Sequence, residues 1–261
     1  MVAGQILGGQ AGMIIALVLA LCMNFASYWF SDKVALKMSR ARPISEEEAP
    51  NLHRILAQLS SRANIPKPSL YYISDDTPNA FATGRNPEHA AVAVTRGLVK
   101  LLSQEELEGV IAHELGHIKN RDILISSIAA TMAGAISSLA SMAQWAMIFG
   151  GHSNDEENGG FLGSLAMMIL APLAAALIQM AISRSREFQA DATGAAICRN
   201  PKSLARALRQ LEGWNRQRPM KVNPATAQMY IVNPLLPNQI SRLFSTHPPI
   251  EERVKRLEAL K

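Results

Sequence analysis

Two histidines four residues apart, with a glutamate directly after the first, are the residues of this chain best placed to do chemistry. They are His113, Glu114 and His117 in the run Val110-Ile111-Ala112-His113-Glu114-Leu115-Gly116-His117-Ile118. On an α-helix residues four apart share a face, so both imidazoles can reach one point, with Glu114 beside it. Two imidazoles and an adjacent carboxylate are the parts of a hydrolytic zinc site: the metal makes a water acidic, and the carboxylate takes its proton. The plain alternative is the polar face of a surface helix. The surroundings favour a buried helix. Ser103 with Glu106 three residues on is a capping box, so a helix start is written just upstream. Leu107, Val110, Ile111, Leu115 and Ile118 recur at helical spacing and form a face to bury.

A hydrolytic zinc needs a third protein ligand, and the run Ser183-Arg184-Ser185-Arg186-Glu187-Phe188-Gln189-Ala190-Asp191 offers one. Glu187 and Asp191 share a helix face. Glu187 is the candidate third ligand, and Asp191 a partner that orients a ligating histidine. Alternatively, both acids pair with Arg184 and Arg186. His247, between Thr246 and Pro248-Pro249, sits in a stiff turn. It could donate to a developing oxyanion, or simply cap the last helix. His152 reads as a solvated loop residue, and His53 and His89 as structural. Cys22 and Cys198 show no Cys-x-x-Cys spacing, and no disulfide is expected.

The elements that must position these residues follow from a very uneven distribution of apolar residues. Ala11–Phe30, Ile123–Phe149 and Phe161–Ile182 carry no charge, and each is long enough to span a bilayer. Lys33, Lys37, Arg40 and Arg42 follow the first run, and Arg184 and Arg186 the third, which puts both sides in the cytoplasm by the positive-inside rule. The second and third runs then form a hairpin that returns the chain to the face it left, carrying Glu187 back towards His117. No charged segment precedes the first run and no small-residue cleavage site follows it, so it is not read as a signal peptide. The net charge of +5 is spread beside the apolar runs, with no aromatic-interleaved basic stripe, so nucleic acid is not an expected partner.

Between the first two runs, Ser45 to Asn64 reads as an amphipathic helix, with Pro50 in its first turn and Leu52, Ile55, Leu56 and Leu59 on one stripe. Leu70–Ile73, Asn79–Thr83 and His89–Thr95 read as strands of a small sheet over the helix of His113. An edge strand beside a zinc site can hold an extended peptide by backbone hydrogen bonds. That role falls to Asn79, Ala80, Phe81 and Ala82, with an ordinary sheet strand as the alternative. Asn200-Pro201 starts a helix whose stripe is Leu204, Leu208 and Leu211. Residues 217–239 read as irregular, and Pro249–Leu260 as a last charged helix. The expected fold is mostly α and integral to a membrane, with a zincin-like α+β catalytic part in the cytoplasm. It divides into a transmembrane segment (1–30), a catalytic part (31–122), a transmembrane hairpin (123–183) and a helical C-terminal part (184–261).

Four segments together, Asn79-Ala80-Phe81-Ala82-Thr83-Gly84, Val110 to Asp122, Arg184 to Asp191 and Thr246-His247-Pro248-Pro249, resemble the HtpX family of membrane-bound zinc metalloproteases, within peptidase family M48. Relatives of that family include the eukaryotic CAAX prenyl endopeptidases. The resemblance implies one zinc per subunit held by His113, His117 and Glu187, with Glu114 as catalytic base. It implies quality control in a bacterial cytoplasmic membrane under stress, acting at the cytoplasmic face on unfolded segments of misassembled membrane proteins, with the lipid bilayer as the other partner. Members carry an apolar segment ahead of the run equivalent to Ala11–Phe30. Only ten residues precede it here, which implies three spans or a start at an internal methionine. Two other readings stand beside this one: a CAAX-type prenyl-protein endopeptidase, and a non-catalytic membrane scaffold stapled by zinc. Metal transport is not supported, because no apolar run carries a histidine or carboxylate.

Overall fold

The computed structural model describes residues 9–12, 14–15, 18–19, 22, 25–26, 28–149, 158–218, 230–231 and 247–260; the side chains of residues 31, 135, 137–149, 158–169 and 171–172 are outside that description. In chain order the elements are α1 (Ser31–Met38), β1 (Arg42–Pro43), α2 (Pro50–Ala63), β2 (Ser69–Ile73), β3 (Ala80–Thr83), β4 (Ala91–Thr95), α3 (Arg96–Leu101), α4 (Gln104–Lys119), α5 (Asp122–Phe149), α6 (Asn158–Cys198), α7 (Pro201–Gln217) and α8 (Ile250–Ala259). The chain divides into two compact units, Met1–Trp29 with Ser126–Ile182, and Phe30–Ile125 with Ser183–Lys261.

The first unit is helical wherever it is described. It leaves Ile15, Leu19, Phe25, Ile128, Met132, Leu173 and Ile178 largely exposed. Among the described residues no helix is long and apolar enough to cross a membrane. Much of Ala11–Phe30, and many side chains of Ile123–Phe149 and Phe161–Ile182, lie outside the described residues.

The second unit is mostly helical with one small mixed sheet of order β1-β2-β4-β3. β2 and β4 run parallel, while β1 pairs with β2, and β3 with β4, antiparallel. β4 lies inside the sheet and is buried at all five positions, because both faces are covered. Val92 and Val94 face a core made with α2, α4, α7 and α8. Ala91 and Ala93 face a smaller cluster with Leu36 of α1 and Phe81. The strands lie at Ser69–Ile73, Ala80–Thr83 and Ala91–Thr95, close to the bounds read from the sequence. β1 and α3 were not anticipated. β1 has two residues, too few to show a strand period, and α3 is started by Thr95, whose Oγ1 accepts the Leu98 N–H at 3.2 Å. Of the stretch read as irregular, residues 219–229 and 232–239 lie outside the described residues.

The helices form for local reasons. Pro50 opens α2, and Asn64, left-handed at φ 55°, closes it; between them Leu52, Ile55, Leu56 and Leu59 are buried. α4 carries both halves of its capping box: Ser103 Oγ accepts from Glu106 N, and Glu106 Oε2 accepts the Ser103 N–H at 2.9 Å. α7 and α8 bury Leu204, Leu208, Leu211, Ile250, Val254 and Leu257 against α4 and one another. His113, Glu114, His117, Glu187, Asp191 and His247 all lie in this second unit.

Candidate metal centre

α4 supplies His113, Glu114 and His117, and burial of its apolar face carries His113 and Glu114 inside with it. The last part of α6 supplies Glu187 and Asp191, both buried. Glycines permit the approach of these two helices. A Cβ on Gly194 would lie 2.8 Å from the backbone of His113, and one on Gly116 would lie 2.8 Å from Ala190 O. The Nε2 atoms of His113 and His117 are 3.1 Å apart. Glu187 brings Oε2 to 3.9 Å from His113 Nε2 and Oε1 to 3.5 Å from His117 Nε2.

Behind each imidazole stands a carboxylate, and on each carboxylate an arginine. His117 Nδ1 donates to Asp122 Oδ2 at 2.7 Å; a carboxylate can only accept, so Nδ1 carries the proton of that bond. Residues five apart on a continuous helix cannot meet this way. The contact exists because Arg121 adopts φ 55° between α4 and α5 and turns Asp122 back. Arg186 Nε donates to Asp122 Oδ1 at 2.6 Å, its Nη2 binds the same oxygen, and it also donates to Asn120 O at 3.2 Å. His113 Nδ1 lies 3.0 Å from Asp191 Oδ1. Arg253 of α8 forks onto Asp191 through Nε and Nη2 at 2.8 and 2.7 Å. Arg186 thus turns to Asp122 rather than to Glu187 or Asp191.

These neighbours set the protonation states of the free protein. Burial pushes the Glu114 carboxyl up, helped by the charge of Glu187 and opposed by both histidines and the Ala82 N–H. Burial disfavours the His117 cation, yet the hydrogen bond to Asp122 and the charges of Glu187 and Glu114 outweigh it and raise its pKa to about 9. Burial works against the Asp191 carboxylate too, but Arg253 and His113 bring its pKa down to about 2. Glu187 is held well below the usual carboxylate range: burial opposes ionisation, and His247, Arg253 and His117 overcome it.

The donor set fits a divalent metal. Ligands at about 2.0–2.2 Å on the corners of a tetrahedron stand about 3.3–3.6 Å apart. The three donors span 3.1 to 3.9 Å in the pairs above, and His113, His117 and Glu187 each place a ligand atom within 4.8 Å of the others.

The other residues singled out from the sequence are placed as follows. His247 Nδ1 lies 3.3 Å from Glu187 Oε2, so its turn reaches the centre. β3 is an edge strand laid against α4, and Ala82 N–H donates to Glu114 Oε2 at 2.7 Å. Phe81 turns its side chain to the opposite face of the sheet. Asn79 Oδ1 accepts the Ile231 N–H at 3.2 Å. Asp122, Arg253 and the glycines were missed in the sequence, and Arg186 was considered only as a partner of Glu187 and Asp191. One signal was visible: Arg253 sits on the apolar stripe of Ile250, Val254 and Leu257, where a charge needs a buried partner.

A family model described as peptidase family M48 matches residues 46–261. A "Protease HtpX homolog" of Persephonella marina is 61% identical over 261 residues, covering 98% of this chain and 91% of its own. Proteins of the same name from Aquifex aeolicus and Pyrococcus furiosus are 57% and 55% identical over 98% of this chain, matched along 87% and 89% of their own lengths. Among solved structures, the crystal structure of S. mikatae Ste24p is similar with a TM-score of 0.66 at 20% identity, a likeness of fold; it covers 98% of this chain, which spans 61% of that longer one.

Proposed function

We propose a reaction, a substrate class and a setting for this chain from the premise that it belongs to peptidase family M48, and is therefore a metalloprotease that uses zinc. In this reading His113, His117 and Glu187 would hold the metal, which when bound would supply a Lewis acid and make a water more acidic. Glu114 takes the proton of the attacking water and delivers it to the leaving amine. The Ala82 N–H anchors its carboxylate. Asp122 and Asp191 take the Nδ1 side of the two histidines, so that both Nε2 atoms would be left to hold the metal. His247 would donate to the oxyanion that forms at the carbonyl.

Substrate class follows from the edge strand. Phe81 and Thr83 pair with Ala93 and Ala91, and Asn79 O accepts the Thr95 N–H, so these residues face β4. Alternation turns the backbone groups of Ala80 and the Ala82 carbonyl outward, while the Ala82 N–H is taken by Glu114. An extended peptide can add there by backbone hydrogen bonds. With Phe81 turned away, selection rests on local unfolding more than on side-chain pockets. We therefore assign unfolded protein segments as substrate. The exposed apolar residues of the first unit support a lipid setting. With the resemblance to the HtpX family, this favours a multi-pass protein of the bacterial cytoplasmic membrane, cutting misassembled membrane proteins at the cytoplasmic face for quality control.

One observation carries the reading: three donors, buried His113 and Glu187 and half-buried His117, converge within bonding range of a single ion, beside a carboxylate that is not one of them. The test is Glu114→Gln. The variant should bind zinc as the wild type does and lose at least about a hundredfold in cleavage of an unfolded protein. Near-normal cleavage by that variant removes Glu114 as the base.

A further inference from the structure

The reaction assigned above does not use Arg253, the one charge on the apolar stripe of α8. Its side chain is fully buried. Isolating a guanidinium from water is very costly unless its donors are met, and here they are met by the centre itself. Nε and Nη2 fork onto Asp191, Nη1 lies 3.2 Å from Glu187 Oε2, and the same nitrogen donates to Ile231 O at 3.2 Å. Nη2 stands 3.4 Å from His113 Nε2. One residue therefore braces two of the three proposed ligands, Glu187 directly and His113 through Asp191. A second contact seats the same helix beside the site: the Arg256 guanidinium stacks 3.7 Å over the ring of Phe188, the neighbour of Glu187.

We propose that Arg253 is a positioning residue of the metal centre, which is incomplete without α8. Arg253 has no exposed surface from which to touch a peptide, so it acts only through Asp191 and Glu187. The planar fork is the working part: lysine keeps the charge but offers a single point that cannot span both carboxylates. The proposal rests on the zinc reading above and adds to it a cause for the ligand geometry.

The experiment uses the full chain and zinc itself, with affinity measured by competition with a chromophoric chelator. It also records the absorption spectrum of the cobalt-substituted protein and separate kcat and KM values at saturating zinc. Arg253→Lys should lose about 10–100-fold in zinc affinity. Its cobalt bands should shift, and kcat should fall while KM holds. Asp191→Asn should lose affinity too, and the double variant should lose less than the product of the single losses, because the two act in series. Arg209→Lys, an exposed arginine paired with Glu258, should match the wild type. A folded Arg253→Lys with wild-type affinity and spectrum overturns the proposal, as do independent, multiplying losses. If Arg253→Lys does not fold, Asp191→Asn decides, and wild-type affinity in that variant overturns it. Wild-type protein that binds no zinc refutes the zinc reading itself. Tight wild-type binding with an indifferent Arg253→Lys refutes only the role of Arg253.

Discussion

Replacing Gly194 by alanine tests whether the close crossing of α4 and α6 sets the centre. The added Cβ would lie 2.8 Å from His113 Cα and N and 3.0 Å from Ala112 C, all backbone atoms with no rotamer to escape into. Ordinary contact begins at 3.4 Å, so relief requires the helices to part by about 0.6 Å. Metal sites tolerate about ±0.2 Å in their ligand distances, so a displacement of that size pulls Glu187 off the histidines. Zinc affinity should fall by at least about tenfold. Overpacking should cost about 1–3 kcal/mol, partly masked by the gain of about 1 kcal/mol that alanine brings to a helix interior. Gly213→Ala, within α7 and with nothing within 4 Å of its added Cβ, shows that gain alone. The difference between the two alanine variants in equilibrium unfolding therefore isolates the clash. Equal stabilities and unchanged zinc affinity would refute the claim that helix proximity is limiting.

Asp122→Asn should leave the fold intact and weaken zinc binding about 10–100-fold by chelator competition, because Arg186 loses its carboxylate and His117 its anionic acceptor. Treatment with a strong chelator should abolish proteolysis, and zinc should restore it on a peptide-release assay; activity that survives metal removal would contradict the family chemistry. Ser103→Ala should cost about 1 kcal/mol in unfolding measurements by removing the α4 cap. The cap should also respond to acid. Burial raises the Glu106 pKa, but hydrogen bonds from Ser103 and Gln210 and the charge of Arg206 prevail and lower it below 4.5. A lowered pKa contributes stability that is present above the unfolded value and lost as pH falls through the folded one. Glu106→Gln should therefore flatten stability against pH below about 4.5, and an unchanged acid slope would exclude the contribution.

The sequence was most legible where chemistry and helix period coincide. His113 and His117 share a face by spacing alone, and the Ser103–Glu106 cap and apolar face of α4 were readable because both are local. β2, β3 and β4 were readable as short runs set off by turn residues. β1 was not, having only two residues and depending on its pairing with Tyr71 and Tyr72. Asp122 escaped notice because its link to His117 depends on one left-handed residue, Arg121, and no periodicity encodes that turn.

Sequence by itself determined the candidate donors, the order of the longer elements and the family, because residue identity and short-range spacing carry that information. Only the tertiary structure decided which side chains complete the site. Asp191 and Arg253 are 62 residues apart in the chain yet within 2.8 Å in space. Gly194 matters only because another backbone passes beside it. Such contacts arise from the packing of buried faces, where shape and charge must be satisfied together, and the linear order of residues does not display them.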